Sequence, residues 1–325
     1  MAQRDTYWDI LKGILIVLVV IGHVMQLGTD HLSIATVNWI YSFHMPLFIL
    51  VSGYFSNINS KSYRQGIVRL IETFIVFQLL RSFIEGATSF HELLNPRLAL
   101  WYLLSLVYWK CMLIILPEKI RKYKLMLLAG SVVLSFISGL IHISTELSFQ
   151  RTFTFMPFFV VGYILRYYDY SSLLNNIKPI YAIAVSTFSL LGSYLINTSL
   201  LNDFAGTSVF SLNGGGNFLK SRMLILLWGS LMSICIMRLS LEIKRSAVLE
   251  YLGQSTLHIY IFHAFFYMYL LRPLNVKGVL PNAFLCLIMY SLAVIVILYF
   301  TSKIKILNII LNPFTNSFNL WKTRS

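Results

Sequence analysis

Near the start of the chain, the stretch WDILKGILIVLVVIGH (8–23) carries a lysine, Lys12, and a histidine, His23, with ten uncharged residues between them. On an α-helix, eleven positions at about 100° and about 1.5 Å each leave the two side chains within roughly 20° of one face and about 16 Å apart. A run this apolar can enter a bilayer, where an ionisable side chain is costly and is by default a functional candidate. An imidazole with an ordinary pKa of about 6.5 accepts a proton at neutral pH, so it can serve as a general base. An ammonium group on the same face can meet an anion; otherwise it snorkels to the headgroups. Asp9, one turn before Lys12, either pairs with it at the membrane interface or joins it at the site.

A second histidine, His44, lies in FHMPLFILVSGYF (43–55), where Pro46 can loosen a helix and Ser52-Gly53 allows close approach of a neighbour. Lys61, Arg64 and Arg69 precede the next apolar run; such a cluster sets topology or holds phosphates. Trp101 and Tyr102 are either an interfacial aromatic belt or a platform for a sugar ring. Arg151 stands ahead of FMPFFVVGY. His258 and His263 are five apart in STLHIYIFH, hence on different faces, and His263 is the deeper candidate. Glu72, Arg81 and Glu85 read as mutually paired, and His31, His91 and His142, in or near loops, carry no assigned role. Cys111, Cys235 and Cys286 lie in apolar segments without a CxxC pair and read as packed residues. No HExxH, phosphate loop, GxSxG elbow or dinucleotide fingerprint is present, so no metal site is expected. Acid–base chemistry by histidine, with basic residues binding an anionic substrate or donor, is what remains.

These residues need elements that hold them inside a membrane. The 325-residue chain is 57% hydrophobic with a mean hydropathy of +0.73. Its 12% of charged residues fall well short of the roughly 25% of globular proteins. Ten segments are long and apolar enough for a crossing: 10–27, 37–56, 67–86, 98–116, 124–143, 152–168, 178–197, 221–239, 254–272 and 282–300. We therefore expect an all-α polytopic bundle of about ten transmembrane helices forming one domain over 1–325. The sixth segment is short and holds Pro157, where a break or re-entrant start is expected; the 198–219 connection holds the flexible NGGGN. The first segment is followed by QLGTDHLS, which offers no small-x-small cleavage site, so it reads as a retained span. The net charge of +14 would suggest nucleic acid in a soluble protein; here the basic residues sit in short runs between apolar segments, and no nucleic-acid partner is expected. With the N-terminus cytoplasmic, 18 of the 26 basic residues fall on the cytoplasmic side against six outside, which places both termini inside. His23 and His44 then lie in the outer half of the membrane, at similar depth on consecutive antiparallel helices.

Five blocks in this order, WDILKGILIVLVVIGH, FHMPLFILVSGYF, WYLLSL (101–106), RTFTFMPFFVVGYILR (151–166) and YLGQSTLHIYIFH (251–263), resemble the acyltransferase 3 family over about 5 to 300. The branch they are most similar to is that of the fucose 4-O-acetylase-like and capsule or exopolysaccharide O-acetyltransferases of bacteria. In that family a basic residue and a histidine, spaced as Lys12 and His23 are, mark the site. The resemblance implies acetyl-CoA as co-substrate, no bound cofactor, a glycan or lipid-linked sugar hydroxyl as acceptor, and His23 as the essential base. It implies a multi-pass protein of the bacterial cytoplasmic membrane, with other polysaccharide-synthesis proteins as possible partners. Under it, His44 supports His23; from the residues themselves we expect Lys12, Asp9, Lys61, Arg64 and Arg69 to hold the donor nucleotide. Ser52, Trp101, Tyr102, Arg151 and His263 support the acceptor or the developing oxyanion. Many relatives carry two arginines three apart before the third span, whereas here Arg64 and Arg69 are five apart. The chain ends soon after its last apolar segment, so a covalent relay through a fused SGNH domain is not expected. Intramembrane polar residues also suit a rival reading, a polysaccharide exporter or flippase without acyl-transfer activity.

Overall fold

The computed structural model describes residues 5–86, 89, 92, 94–96, 99–140, 146–196, 198–209, 218–271 and 283–311. His91, His142 and the NGGGN stretch lie outside the described residues, as does the side chain of Cys286. The described elements are helices throughout. α1 (Thr6–Met25) opens on Asp5, whose carboxylate accepts from the Tyr7 N–H at 3.1 Å, and Asp9 sits in its first turn. Both arrangements favour a helix start, one by satisfying a free donor and the other by meeting the positive end of the helix dipole. Twenty residues make α1 about 30 Å long, the thickness of a hydrocarbon core.

α2 (His31–Tyr41) and α3 (His44–Tyr54) together form one apolar span broken at Ser42-Phe43. The break precedes Pro46, which is only the third residue of α3, where a backbone N–H has no partner within the helix. The loosening expected at the proline is therefore found upstream of it, and it leaves His44 at the first position of α3. Beyond these come α4 (Tyr63–Glu85), α5 (Leu100–Ile115), α6 (Lys124–Leu140), α7 (Phe149–Leu165) and α8 (Pro179–Ile196). α9 (Phe218–Ser240) contains a π-helical turn at Leu224–Trp228. α10 (Ala247–Gln254), α11 (Thr256–Phe266), α12 (Ala283–Thr301) and α13 (Lys305–Leu311) follow. α7 runs through Pro157 without a break, contrary to expectation. The lost backbone bond is outweighed by packing, since Phe155, Met156, Phe158, Phe159 and Val160 are all buried.

The described part of each of the ten expected apolar segments is largely helical, with the second divided between α2 and α3. Among the described residues four are individually long and apolar enough to cross a bilayer: Thr6–Met25, His31–Tyr54, Pro179–Ile196 and Phe218–Ser240. The bent pair Leu287–Thr301 and Lys305–Leu311 would make a fifth. α5 and α6 are apolar but shorter, and α4 carries Arg69, Glu72, Arg81 and Glu85 along its length. The chain is thus an all-α, polytopic membrane protein.

Its packing is that of helices in lipid. Phe188 and Leu195 on α8 are 75% and 80% exposed, while Ser186, Ser189 and Ser193 on the same helix are buried. α6 buries Ser131, Ser135 and Ser138 in the same way, and the Ser135 hydroxyl donates to the Thr154 carbonyl of α7 at 3.1 Å. Small residues at the contacts let helices close up where large apolar ones face lipid. The closest approaches are two reciprocal glycine contacts. A Cβ on Gly53 of α3 would stand 2.0 Å from the Phe159 carbonyl oxygen of α7, and one on Gly162 of α7 would stand 1.8 Å from that of Leu50. Gly13 of α1 and Gly253 of α10 face Leu249 and Asp9 in the same manner, at 2.1 and 1.9 Å. With these contacts fixed, α1 becomes the central stave, touching α2, α3, α9, α10, α11 and α12.

Candidate functional site

The face of α1 that carries Lys12 and His23 looks into two cavities, one at each end. At the Lys12 end is a slot of about 310 Å³, walled by Phe48, Val51, Leu103, Leu106 and Leu257, with Ser52, Tyr102 and Lys110 among its polar groups. It shares Phe55 and Lys110 with a wider vestibule of about 510 Å³ that Asn57, Tyr63 and Arg166 also line. At the His23 end is a chamber of about 330 Å³, lined by His44, Tyr41, Trp101, Arg151 and Asn202 among others. Four helices, α1, α3, α5 and α11, contribute to both the slot and the chamber. Among the described residues, no Asp or Glu lines either cavity or the vestibule. The charged residues in all three linings are Lys and Arg, of which Lys12 is paired with Asp9.

In the chamber, His23 is held at Nδ1, where the Tyr41 hydroxyl and the Gln26 side-chain amide both stand at 3.2 Å. Gln26 and Tyr41 are hydrogen-bonded to each other as well. The Tyr41 ring sits edge-on to both imidazoles, 5.8 Å from His23 and 4.5 Å from His44. His44 is buried, and its Nδ1–H donates to the Ile40 carbonyl at 3.0 Å across the α2–α3 break. His263 is buried behind His23, rings 5.1 Å apart, with its Nδ1–H on the Ile259 carbonyl at 3.0 Å. A carbonyl oxygen can only accept, so in both His44 and His263 the ring proton is fixed on Nδ1 and the lone pair on Nε2. His258 points the other way, with Nε2 3.3 Å from the Thr301 hydroxyl of α12. Five positions of helix rotation separate the two histidines, as the sequence implies. Arg151 lies over the Trp101 ring at 5.1 Å, with its Nε–H donating to the Ala205 carbonyl at 3.2 Å.

At the other end, Lys12 and Asp9 form an ion pair at 2.8 Å, and the Gln254 amide reaches Asp9 at 3.4 Å. Lys110, on α5, stands over the Tyr63 ring at 4.7 Å and donates to the Ser56 hydroxyl at 3.3 Å. The Ser52 and Tyr102 hydroxyls share a hydrogen bond of 2.6 Å inside the slot. Ser52 and Tyr102 therefore belong with the lysines, whereas Trp101, Arg151, His44 and His263 belong with His23. Trp101 and Tyr102 are adjacent, yet one helical step of about 100° turns them into different cavities.

Lys61, Arg64 and Arg69 are not brought to either cavity or to the vestibule; all three are exposed. Tyr63, Ile67 and Phe77 give α4 its buried face, and Arg64 and Arg69 project from other faces. The cations that do line the slot and its mouth are Lys12, Lys110 and Arg166. Lys110 is a charge inside an apolar segment, a visible signal; Arg166 is not separable in sequence from a residue that sets topology. Gln26, Tyr41 and Tyr260 were also missed. Gln26, one turn past His23, was within reach of helix periodicity; Tyr41 and Tyr260 depend on contacts between helices. On α4, Arg81 pairs with Glu85 at 2.9 Å. Among the described residues no group of three or more His, Cys, Asp or Glu could hold a metal.

An all-α membrane bundle with a cation-lined slot and a histidine-lined chamber at opposite ends of one helix defines a class of polytopic protein with a two-ended site. The acyltransferase domain model of the acyltransferase 3 family matches residues 5–300, and the chain belongs to that family. Shorter likenesses are to two proteins named nodulation protein NolL. That of Mesorhizobium japonicum is 48% identical over 72 residues, 20% of this chain and 19% of the relative. That of Sinorhizobium fredii is 47% identical over 60 residues, 17% and 16% respectively. The chain thus matches under a fifth of either relative's length. No solved structure matches it.

Proposed function

We propose that this protein moves an acetyl group from cytoplasmic acetyl-CoA to a hydroxyl of a cell-surface polysaccharide or its lipid-linked precursor, with His23 as general base. The observation that carries this reading is the placement of Lys12 and His23 on one helix face, each opening into its own cavity. In this reading all ten apolar segments cross a bacterial cytoplasmic membrane and both termini are cytoplasmic, so the vestibule and slot face the cytosol. The phosphates of CoA bind at Lys110 and Arg166, with Lys12, whose charge is shared with Asp9, beside them. The thin pantetheine arm follows the apolar slot towards the chamber.

At His23, the Tyr41 hydroxyl accepts a hydrogen bond from Nδ1–H, which leaves the lone pair on Nε2. The Gln26 amide stands with its nitrogen toward Nδ1, and this tautomer requires the amide to exchange that nitrogen for its oxygen. Nε2 removes the proton from the acceptor hydroxyl as its oxygen bonds to the thioester carbonyl carbon. The C–S bond then breaks, and the imidazolium returns the proton to the departing thiolate as CoA–SH. Arg151 is the cation in the chamber for the oxyanion between these steps. Trp101, stacked under it, offers a face to a sugar ring.

The test is purified protein with acetyl-labelled acetyl-CoA and deacetylated surface glycan. Label appearing as an ester on the glycan supports the reading. A change in the sidedness of the glycan with no ester formed replaces it with the exporter.

A further inference from the structure

Among the described residues, Tyr260 alone lines both the slot and the chamber. Its neighbours on α11 divide between the two ends. Thr256 and Leu257, one turn before it, face the slot, and His263, one turn after it, faces His23. The buried Tyr260 ring stands 5.3 Å from Tyr102 and 6.4 Å from Phe48, both slot residues, and 5.7 Å from His263. It therefore occupies the place where the two cavities would otherwise join. Open volume lies on both sides of the ring.

We propose that Tyr260 is the partition between donor slot and acceptor chamber, closing the thioester off from water until an acceptor hydroxyl fills the chamber. This rests on the acyl-transfer reading above and adds what sets the ratio of transfer to hydrolysis. Water competes with the sugar for the same carbonyl carbon. Its oxygen would bond to that carbon, the C–S bond would break, the thiolate would take a proton, and free acetate would leave. A ring in the passage keeps the chamber's water from the thioester while the chamber lacks an alcohol. The partition works by bulk, so phenylalanine replaces it and alanine does not.

Two measurements on the full-length protein test this. In purified wild type, Tyr260→Ala and Tyr260→Phe, acetate release from acetyl-CoA is measured with and without glycan, beside ester formation. Tyr260→Ala is expected to raise the hydrolysis-to-transfer ratio severalfold and Tyr260→Phe to leave it as in wild type. Equal ratios in an active Tyr260→Ala, or a Tyr260→Phe that behaves as Tyr260→Ala, overturn the partition. Independently, Ser52→Cys reports on the slot. A membrane-impermeant thiosulfonate added from the outer face should label it only when combined with Tyr260→Ala, against the parent chain as background. Labelling that is the same with and without Tyr260→Ala overturns the proposal. If wild type forms no ester at all, the acyl-transfer reading fails, while the labelling still decides whether Tyr260 divides the cavities. Tyr260→Leu serves the same comparisons where the alanine variant fails to reach the membrane.

Discussion

The slot and the chamber share four helices and have nearly the same volume, yet they are chemically unlike. The slot is a corridor of Phe, Val and Leu side chains with lysines at its mouth and no imidazole in its lining. The chamber concentrates two imidazoles, two phenols, two amides and a guanidinium around a nearly equal space. Such a contrast on shared helices teaches that the division of labour lies in which residue of each turn faces which end. An apolar corridor recognises a long, thin ligand by its charged head, whereas a polar chamber can move protons. Among the described residues neither end has a carboxylate in its lining, and Asp9 stands paired with Lys12 beside the slot.

Substitutions can break or sharpen this contrast. The largest effect belongs to the chamber. His23→Ala should lower the transfer rate by about 10²–10⁴-fold, the usual contribution of a general base, while equilibrium binding of acetyl-CoA to the slot stays as in wild type. Loss of both would mean that the two ends are one site.

Gly162→Val attacks what the ends share. The new side chain meets the Leu50 carbonyl where even a Cβ has only 1.8 Å, so α3 and α7 must separate at a cost of about 1–3 kcal/mol or more. Thermal unfolding in detergent should show the loss, and donor and acceptor affinities should fall together.

Lys110→Ala acts on the slot alone. Removing a charged donor to phosphate, worth about 1.5–3 kcal/mol, should raise the KM for acetyl-CoA by roughly ten- to a hundredfold with little change in kcat. Arg64→Ala, on an exposed face outside the slot, should leave that KM unchanged. The opposite ranking in steady-state kinetics would return the donor site to the α4 cluster.

Trp101→Ala is the mildest. The contact of the Arg151 guanidinium with the ring is worth about 0.5–2 kcal/mol, so the glycan KM should rise severalfold and the acetyl-CoA KM should not move.

Much of this arrangement was legible in the chain because it follows from rotation along single helices. Eleven residues bring Lys12 and His23 to one face, and five separate His258 from His263; both hold in the structure. Consecutive antiparallel segments also brought His44 beside His23, although the span holding it breaks at Ser42-Phe43 and not at Pro46. Arg64 and Arg69, expected to hold the donor, are exposed and line neither the slot nor its vestibule. What stayed hidden depends on how helices rotate against each other. Nothing local to Tyr260 says that its ring stands between Tyr102 and His263. Nothing local to Ser52 says that it bonds to Tyr102 and not to a group in the histidine chamber. Pro157 misled for the opposite reason, since burial on all sides holds α7 straight through a residue that would end an isolated helix.

The neighbouring aromatics of α5 carry one last consequence. Because Trp101 and Tyr102 belong to different ends, the phase of a single helix assigns one ring to each cavity. Deleting one residue at the start of α5 would advance every later side chain by a step and hand the tryptophan and the tyrosine to the wrong customers. Any chain that keeps this design must guard the count of residues entering α5 as closely as the identity of the rings themselves.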